Sequence, residues 1–180
     1  TKYKNIKKDI DIIAGYLGEL QCAGVTILWR PIHEASGKWF WWGAKGAEPY
    51  KQLYKLLFDR LVNYHQIHNL IWVWNSDGTD ADWYPGDEYV DVVGRDFYYG
   101  DGSTYNHSSL VTDCEALAKQ TNGKKLITLA ENGAVPYPEN MDNDDAMWSW
   151  FMPWYGDFVT SSSHNTASDW NTIMNDSRVI

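Results

Sequence analysis

Apolar residues along this chain change their period from segment to segment. From Tyr3 to Ala23 they recur at threes and fours, with Ile6, Ile10, Ile13, Leu17 and Leu20 on one stripe, which predicts an amphipathic helix. Elsewhere they run together in short blocks that suit buried strands: Val25 to Arg30 (VTILWR), Leu70 to Trp74 (LIWVW), Val90 to Gly94 (VDVVG), Lys125 to Ala130 (KLITLA) and Trp148 to Trp154 (WSWFMPW). Helical patterns lie between the blocks. One opens at Pro49, where a missing N–H costs nothing, and turns Leu53, Leu56, Leu57, Leu61 and Tyr64 inward; others cover Ser108 to Gln120 and Ala167 to Met174. This alternation predicts an α/β fold of βα units around a mostly parallel sheet. A closed parallel barrel needs eight strands, so the sheet is either open or short of strands. No repeat, low-complexity tract or linker divides residues 1–180, which read as a single domain.

Composition narrows the partners. The 180 residues carry a net charge of −9, with a pI near 4.9, and no basic patch marks a nucleic-acid reader. Eleven Trp and twelve Tyr exceed what a core of this size needs. Their flat faces suit stacking on the C–H faces of pyranose rings, while packing is the alternative for each one. The two cysteines, Cys22 and Cys114, form no disulfide framework or metal motif and read as buried free thiols. Asp80, Asp82, Asp87 and Asp142 to Asp145 lack EF-hand spacing and read as solvated acidic loops. There is no secretory leader pattern and no membrane-length apolar run.

The candidate chemistry sits at two strand ends. The block at Val25 delivers His33 and Glu34 into an aromatic loop (RPIHEASGKWFWWG), and the block at Lys125 delivers Glu131 in AENG. Catalytic side chains gather at the C-terminal ends of strands in α/β barrels. Two such carboxylates make an acid/base and nucleophile pair for glycoside cleavage, although either alone is also an ordinary solvated loop carboxylate.

The ordered motifs WRPIHEASGKWFWWG, IWVWNSDG, WYPGDEYVDVVGRDFY, LITLAENG and WFMPWYG resemble the second half of a glycoside hydrolase family 26 β-mannanase, over nearly the whole chain. The resemblance implies a (β/α)8 TIM barrel of which this chain supplies strands 4–8, with the first three βα units contributed by an N-terminal remainder. It implies a retaining endo-β-1,4-mannanase, a polysaccharide-degrading secreted enzyme acting on β-mannan without cofactor or metal. Residue by residue it implies Glu34 as acid/base, Glu131 as nucleophile and His33 as a group that orients Glu34 or touches sugar hydroxyls. Tyr98 then holds the nucleophile, with Tyr99 a second claimant, while Trp39 and Trp154 line the sugar. Arg30 and Asp96 are expected to form a supporting ion pair. Trp41, Trp42, Trp74 and Trp83 are either further platforms or core.

Retention follows if the two carboxyls lie about 5–5.5 Å apart. Residues that the family takes from its first three strands have no counterpart here, so the chain is expected to be part of a longer enzyme, and marginal in stability if isolated. Two rivals stay open: a related hydrolase of β-1,3-xylan or mixed-linkage glucan, and a non-catalytic carbohydrate-binding protein.

Overall fold

A computed structural model describes residues 2–98 and 107–180. Five strands, β1 (Ile27–Trp29), β2 (Leu70–Ser76), β3 (Val92–Phe97), β4 (Leu126–Asn132) and β5 (Phe151–Pro153), are hydrogen-bonded in chain order. The β1/β2 and β4/β5 pairs are parallel, as the βα alternation predicts. By its internal contacts the chain divides into two compact units, Thr1–Trp74 with Asp80–Val92, and Asn75–Thr79 with Val93–Ile180.

The first unit packs α1 (Lys2–Cys22) and α2 (Ala47–Phe58) around β1 and β2. The expected stripe on α1 is covered only in part: Ile10 and Leu17 are buried, with Ala14 beside them, and Ile6 is half-buried, whereas Ile13 and Leu20 are exposed. On α2 the inward line is Tyr50, Tyr54, Leu57 and, one turn on, Leu61, while Tyr64 is exposed. The helix starts two residues before Pro49, which still lies in the first turn where backbone N–H groups have no helical partner. It runs on into a π-helical segment, Asp59–Tyr64. There Arg60 reaches α1, its Nε and Nη2 donating to the two oxygens of Asp11 at 2.6 and 2.7 Å.

Aromatic rings fill this core. Tyr54 and Phe58 pack on Trp72 at 5.7 and 4.9 Å between centroids, Tyr50 on Trp83 at 5.6 Å, and Tyr84 edge-on to Trp74 at 5.0 Å. Asp80 is buried rather than solvated, as the acidic-loop reading would have it. Cys22 ends α1 in an exposed position, a second correction, while Cys114 is buried; both are free thiols.

The second unit carries α3 (Val111–Gln120), α4 (Pro138–Asp144), α5 (Asp157–Thr160) and α6 (Ala167–Met174). α3 begins at Val111 instead of Ser108 because Ser109 is engaged elsewhere: its hydroxyl donates to Asp144, and its carbonyl accepts the Trp148 indole N–H at 2.7 Å. α6 begins where a capping box predicts a start. The Thr166 hydroxyl accepts the Asp169 N–H at 3.2 Å, and the Asp169 carboxylate accepts the Thr166 N–H at 2.6 Å. Strand β4 runs two residues further than its apolar block, so Glu131 and Asn132 belong to the strand itself.

Candidate functional site

In the first unit the chain leaves β1 through a contorted loop. Ile32 (φ 45°) and Glu34 (φ 51°) both adopt the left-handed conformation. For a β-branched residue such as Ile32 this is a true outlier, costing about 1–3 kcal/mol, and strain of this kind concentrates at functional sites. The loop tightens further at two glycines. A Cβ on Gly37 would run into the ring of Trp39, and one on Gly43 into the carbonyl oxygen of Ala35. With Gly37 bare, the Trp39 indole folds back and donates from Nε1 to Oε2 of Glu34 at 3.2 Å, while its ring stays 66% exposed.

His33 stands beside the same carboxyl, Nε2 lying 3.9 Å from Oε2. The Trp42 indole donates to the His33 carbonyl at 2.8 Å, and the His33 ring packs against Phe40 at 5.0 Å. Phe40 and Trp42 stack at 4.4 Å, so an aromatic wall fixes His33 from behind. Trp41 is exposed beside it, edge-on to Trp42 at 5.8 Å. Arg30 lies half-buried just past β1.

In the second unit Glu131 is 5% exposed near the end of β4. Leu129 pairs with Phe151 and Asn132 with Pro153, so β4 fits one extra residue between two points of β5. Such a bulge re-aims the side chains inside it, here Ala130 and Glu131. Asn132 pins the far side of the bulge: its side-chain oxygen accepts the Met152 N–H at 2.9 Å, and its carbonyl accepts the Trp154 N–H at 3.0 Å. The Tyr98 hydroxyl, just past β3, donates to Oε2 of Glu131 at 2.9 Å. That bond fixes the plane of the carboxyl. Asp96 accepts from Asn75 Nδ2 at 2.9 Å. Trp154 is half-buried after β5, its ring 5.3 Å from that of Tyr155. Tyr99 lies outside the described residues.

Of the two readings left open for Trp74 and Trp83, the core one holds: both are buried, against Tyr84 and Tyr50 respectively. Each unit thus holds one carboxyl steadied by a neutral donor, the Trp39 indole on Glu34 and the Tyr98 hydroxyl on Glu131.

The sequence model for glycosyl hydrolase family 26 matches residues 1–180. The chain belongs to this family. It is 44% identical over its whole length to a mannan endo-1,4-beta-mannosidase of Thermothelomyces thermophilus, of which it covers 36%. It is 35% identical over 179 residues to mannan endo-1,4-beta-mannosidase A of Piromyces sp, covering 28% of that protein. The family 26 chain therefore spans about a third of the length of these curated relatives. Among solved structures, a Podospora anserina β-(1,4)-mannanase aligns over all of the chain and 39% of its own, with a TM-score of 0.93 at 44% identity. A β-mannanase from a symbiotic protist of the termite Reticulitermes speratus, complexed with gluco-manno-oligosaccharide, aligns at a TM-score of 0.91 and 42% identity, over all of this chain and 54% of that one.

Proposed function

We propose that this chain is the portion of a retaining endo-β-1,4-mannanase that carries both catalytic carboxyls, with Glu34 as acid/base and Glu131 as nucleophile. The observation that carries the reading is the Tyr98 hydroxyl on Glu131 Oε2, at a bulged strand end, in a chain matched throughout by the family model. A nucleophilic carboxylate must be ionised and held still, and a neutral phenol donating to one oxygen does both without removing the charge.

In the first step Glu131 attacks the anomeric carbon of a β-mannosyl unit while Glu34 gives its proton to the glycosidic oxygen. The C1–O bond breaks, and the shortened chain leaves as an alcohol. Glu34, now a carboxylate, takes a proton from water, whose oxygen attacks C1 and breaks the ester to Glu131, returning both carboxyls to their starting states. His33 and the Trp39 indole orient Glu34, and the exposed Trp39 face and Trp154 stack on sugar rings. No cofactor enters these steps.

In this reading β1 to β5 are the fourth to eighth strands of one catalytic barrel domain. Three preceding βα units complete it, and the enzyme works outside the cell on mannan. The test is hydrolysis of linear β-1,4-mannan, β-1,3-xylan and mixed-linkage glucan, by the chain alone and by the chain joined behind the N-terminal segment of the Thermothelomyces relative. Release of mannooligosaccharides whose new reducing ends are first seen as the β-anomer by NMR supports the proposal. Cleavage of xylan or glucan in preference to mannan, or α-anomer release, contradicts it. Binding of mannan without cleavage by the completed protein would make it a lectin-like relative.

A further inference from the structure

The stretch from Gly133 to Tyr137, between β4 and α4, is neither helix nor strand, yet its residues up to Pro136 are buried directly after Glu131. Buried backbone groups need hydrogen-bond partners, and without a ladder side chains must supply them. One side chain supplies two. Asn165, 3% exposed between α5 and α6, accepts the Val135 N–H on Oδ1 at 2.9 Å and donates from Nδ2 to the Gly133 carbonyl at 3.1 Å. The same Nδ2 donates to the Phe158 carbonyl at 2.9 Å. His107 holds the next group, its Nδ1–H donating to the Val135 carbonyl at 2.5 Å.

Asn165 therefore connects to Glu131 by two indirect routes. Along the chain it grips Gly133, two residues beyond the carboxyl. Through space it grips Phe158, whose ring packs on Tyr98 at 5.2 Å between centroids, and Tyr98 is the donor to Glu131. Backbone and hydroxyl partner of one carboxyl are thus set by a single buried amide.

We propose that Asn165 is a positioning residue for the reaction, fixing the Glu131 carboxyl and its Tyr98 partner in register with the anomeric carbon. This rests on the reading of Glu131 as nucleophile. Asn165→Asp keeps the shape and the acceptor but turns both donations into a carboxylate facing two carbonyl oxygens; Asn165→Ala removes all three bonds. A shift near 1 Å at a reacting group can cost about 100-fold in rate.

The experiment measures kcat and KM of both variants on a nitrophenyl β-mannooligosaccharide, together with the dissociation constant of mannotriose, in the completed protein described above. Ile173→Val, a fully buried change in α6 of the same unit, serves as a stability control. The expected result is a fall in kcat of about 10- to 100-fold, with KM and mannotriose binding within about two-fold and normal kcat in the control. In parallel Glu131→Gly is assayed with sodium azide. There the azide nitrogen attacks the anomeric carbon as nitrophenolate leaves with the bonding electrons, so α-mannosyl azide forms if Glu131 is the nucleophile. Azide rescue combined with unchanged kcat in folded Asn165 variants overturns the positioning role alone. Failure of rescue overturns the reading of Glu131 and the proposal with it. Loss of kcat in Ile173→Val to the same degree, or failure of both Asn165 variants to fold, makes Asn165 a folding residue and overturns the proposal.

Discussion

Tyr98 and Glu131 come from neighbouring strand ends of the second unit, and the phenol donates to the carboxyl at 2.9 Å. A hydrogen bond to a charged group contributes about 1.5–3 kcal/mol, which converts to roughly 10- to 100-fold in rate if it is made in the transition state. Tyr98→Phe keeps the ring that packs on Phe158 and removes only the hydroxyl. We expect kcat on mannan to fall within that range while KM changes little; steady-state kinetics giving wild-type kcat would remove Tyr98 from the catalytic account.

Under the proposed function Trp39 takes two separable roles at Glu34. Its indole N–H meets the carboxyl at 3.2 Å, and its exposed face is available to a sugar. Trp39→Phe keeps a face and loses the donor, so kcat should drop with modest change in KM, whereas Trp39→Ala should raise KM as well. Glu34→Ala should slow mannan far more than a dinitrophenyl mannoside, since only the poor leaving group needs a proton. Equal losses on both substrates would refute the acid assignment.

The strand core and α6 are legible in the sequence because local and global signals agree there. The apolar block at Leu126 to Ala130 buries Leu129 and Ala130 in the sheet, although Leu126 at its start is exposed, and Thr166 with Asp169 caps α6. Tryptophan fates are less legible. Trp74 alternates into a sheet core whereas Trp39 folds over a bare glycine in a loop, and composition alone does not separate those fates. The polar pair Glu131 and Asn132 reads as the loop after a strand, yet both belong to β4, Glu131 in the bulge and Asn132 paired with Pro153, because the bulge against β5 depends on contacts about twenty residues away. Asn165 carries no local signal at all. It lies in a Ser, Asn and Thr stretch that reads as surface loop, and its partners at Gly133 and Val135 are some thirty residues upstream. The helices α4 and α5 are too short for periodicity to reveal them.

Acid should loosen the first unit through Asp11. Hydrogen bonds from Arg60, and then from His65, lower its pKa from 3.8 to about 2. A carboxyl depressed on folding stabilises the folded state above its unfolded pKa and loses that contribution as pH falls through the folded value. The melting temperature should therefore decline from pH 3.8 toward about 2. Asp11→Asn should melt lower at neutral pH and show a shallower decline in that window; an identical pH profile by calorimetry would contradict the clamp.

The two thiols should differ in reactivity. Burial, with the nearby Asp144 and Glu115 carboxylates, pushes Cys114 up to about 11, while Cys22 is exposed. The thiolate is the reactive form. At pH 8 a thiol-disulfide reagent should modify Cys22 promptly and Cys114 only after denaturation, as read by intact mass; prompt labelling of Cys114 would contradict its burial.

The proposed mechanism requires that Glu131 become covalently joined to the sugar. The most direct measurement traps that ester with a 2-deoxy-2-fluoro-β-mannosyl fluoride, whose slow hydrolysis lets the intermediate accumulate, and locates the added mass by fragmentation of the digested protein. One fluoromannosyl group on Glu131, absent in Glu131→Ala, is expected. A label on Glu34 or on another carboxylate, in a protein that turns over mannan, would contradict it.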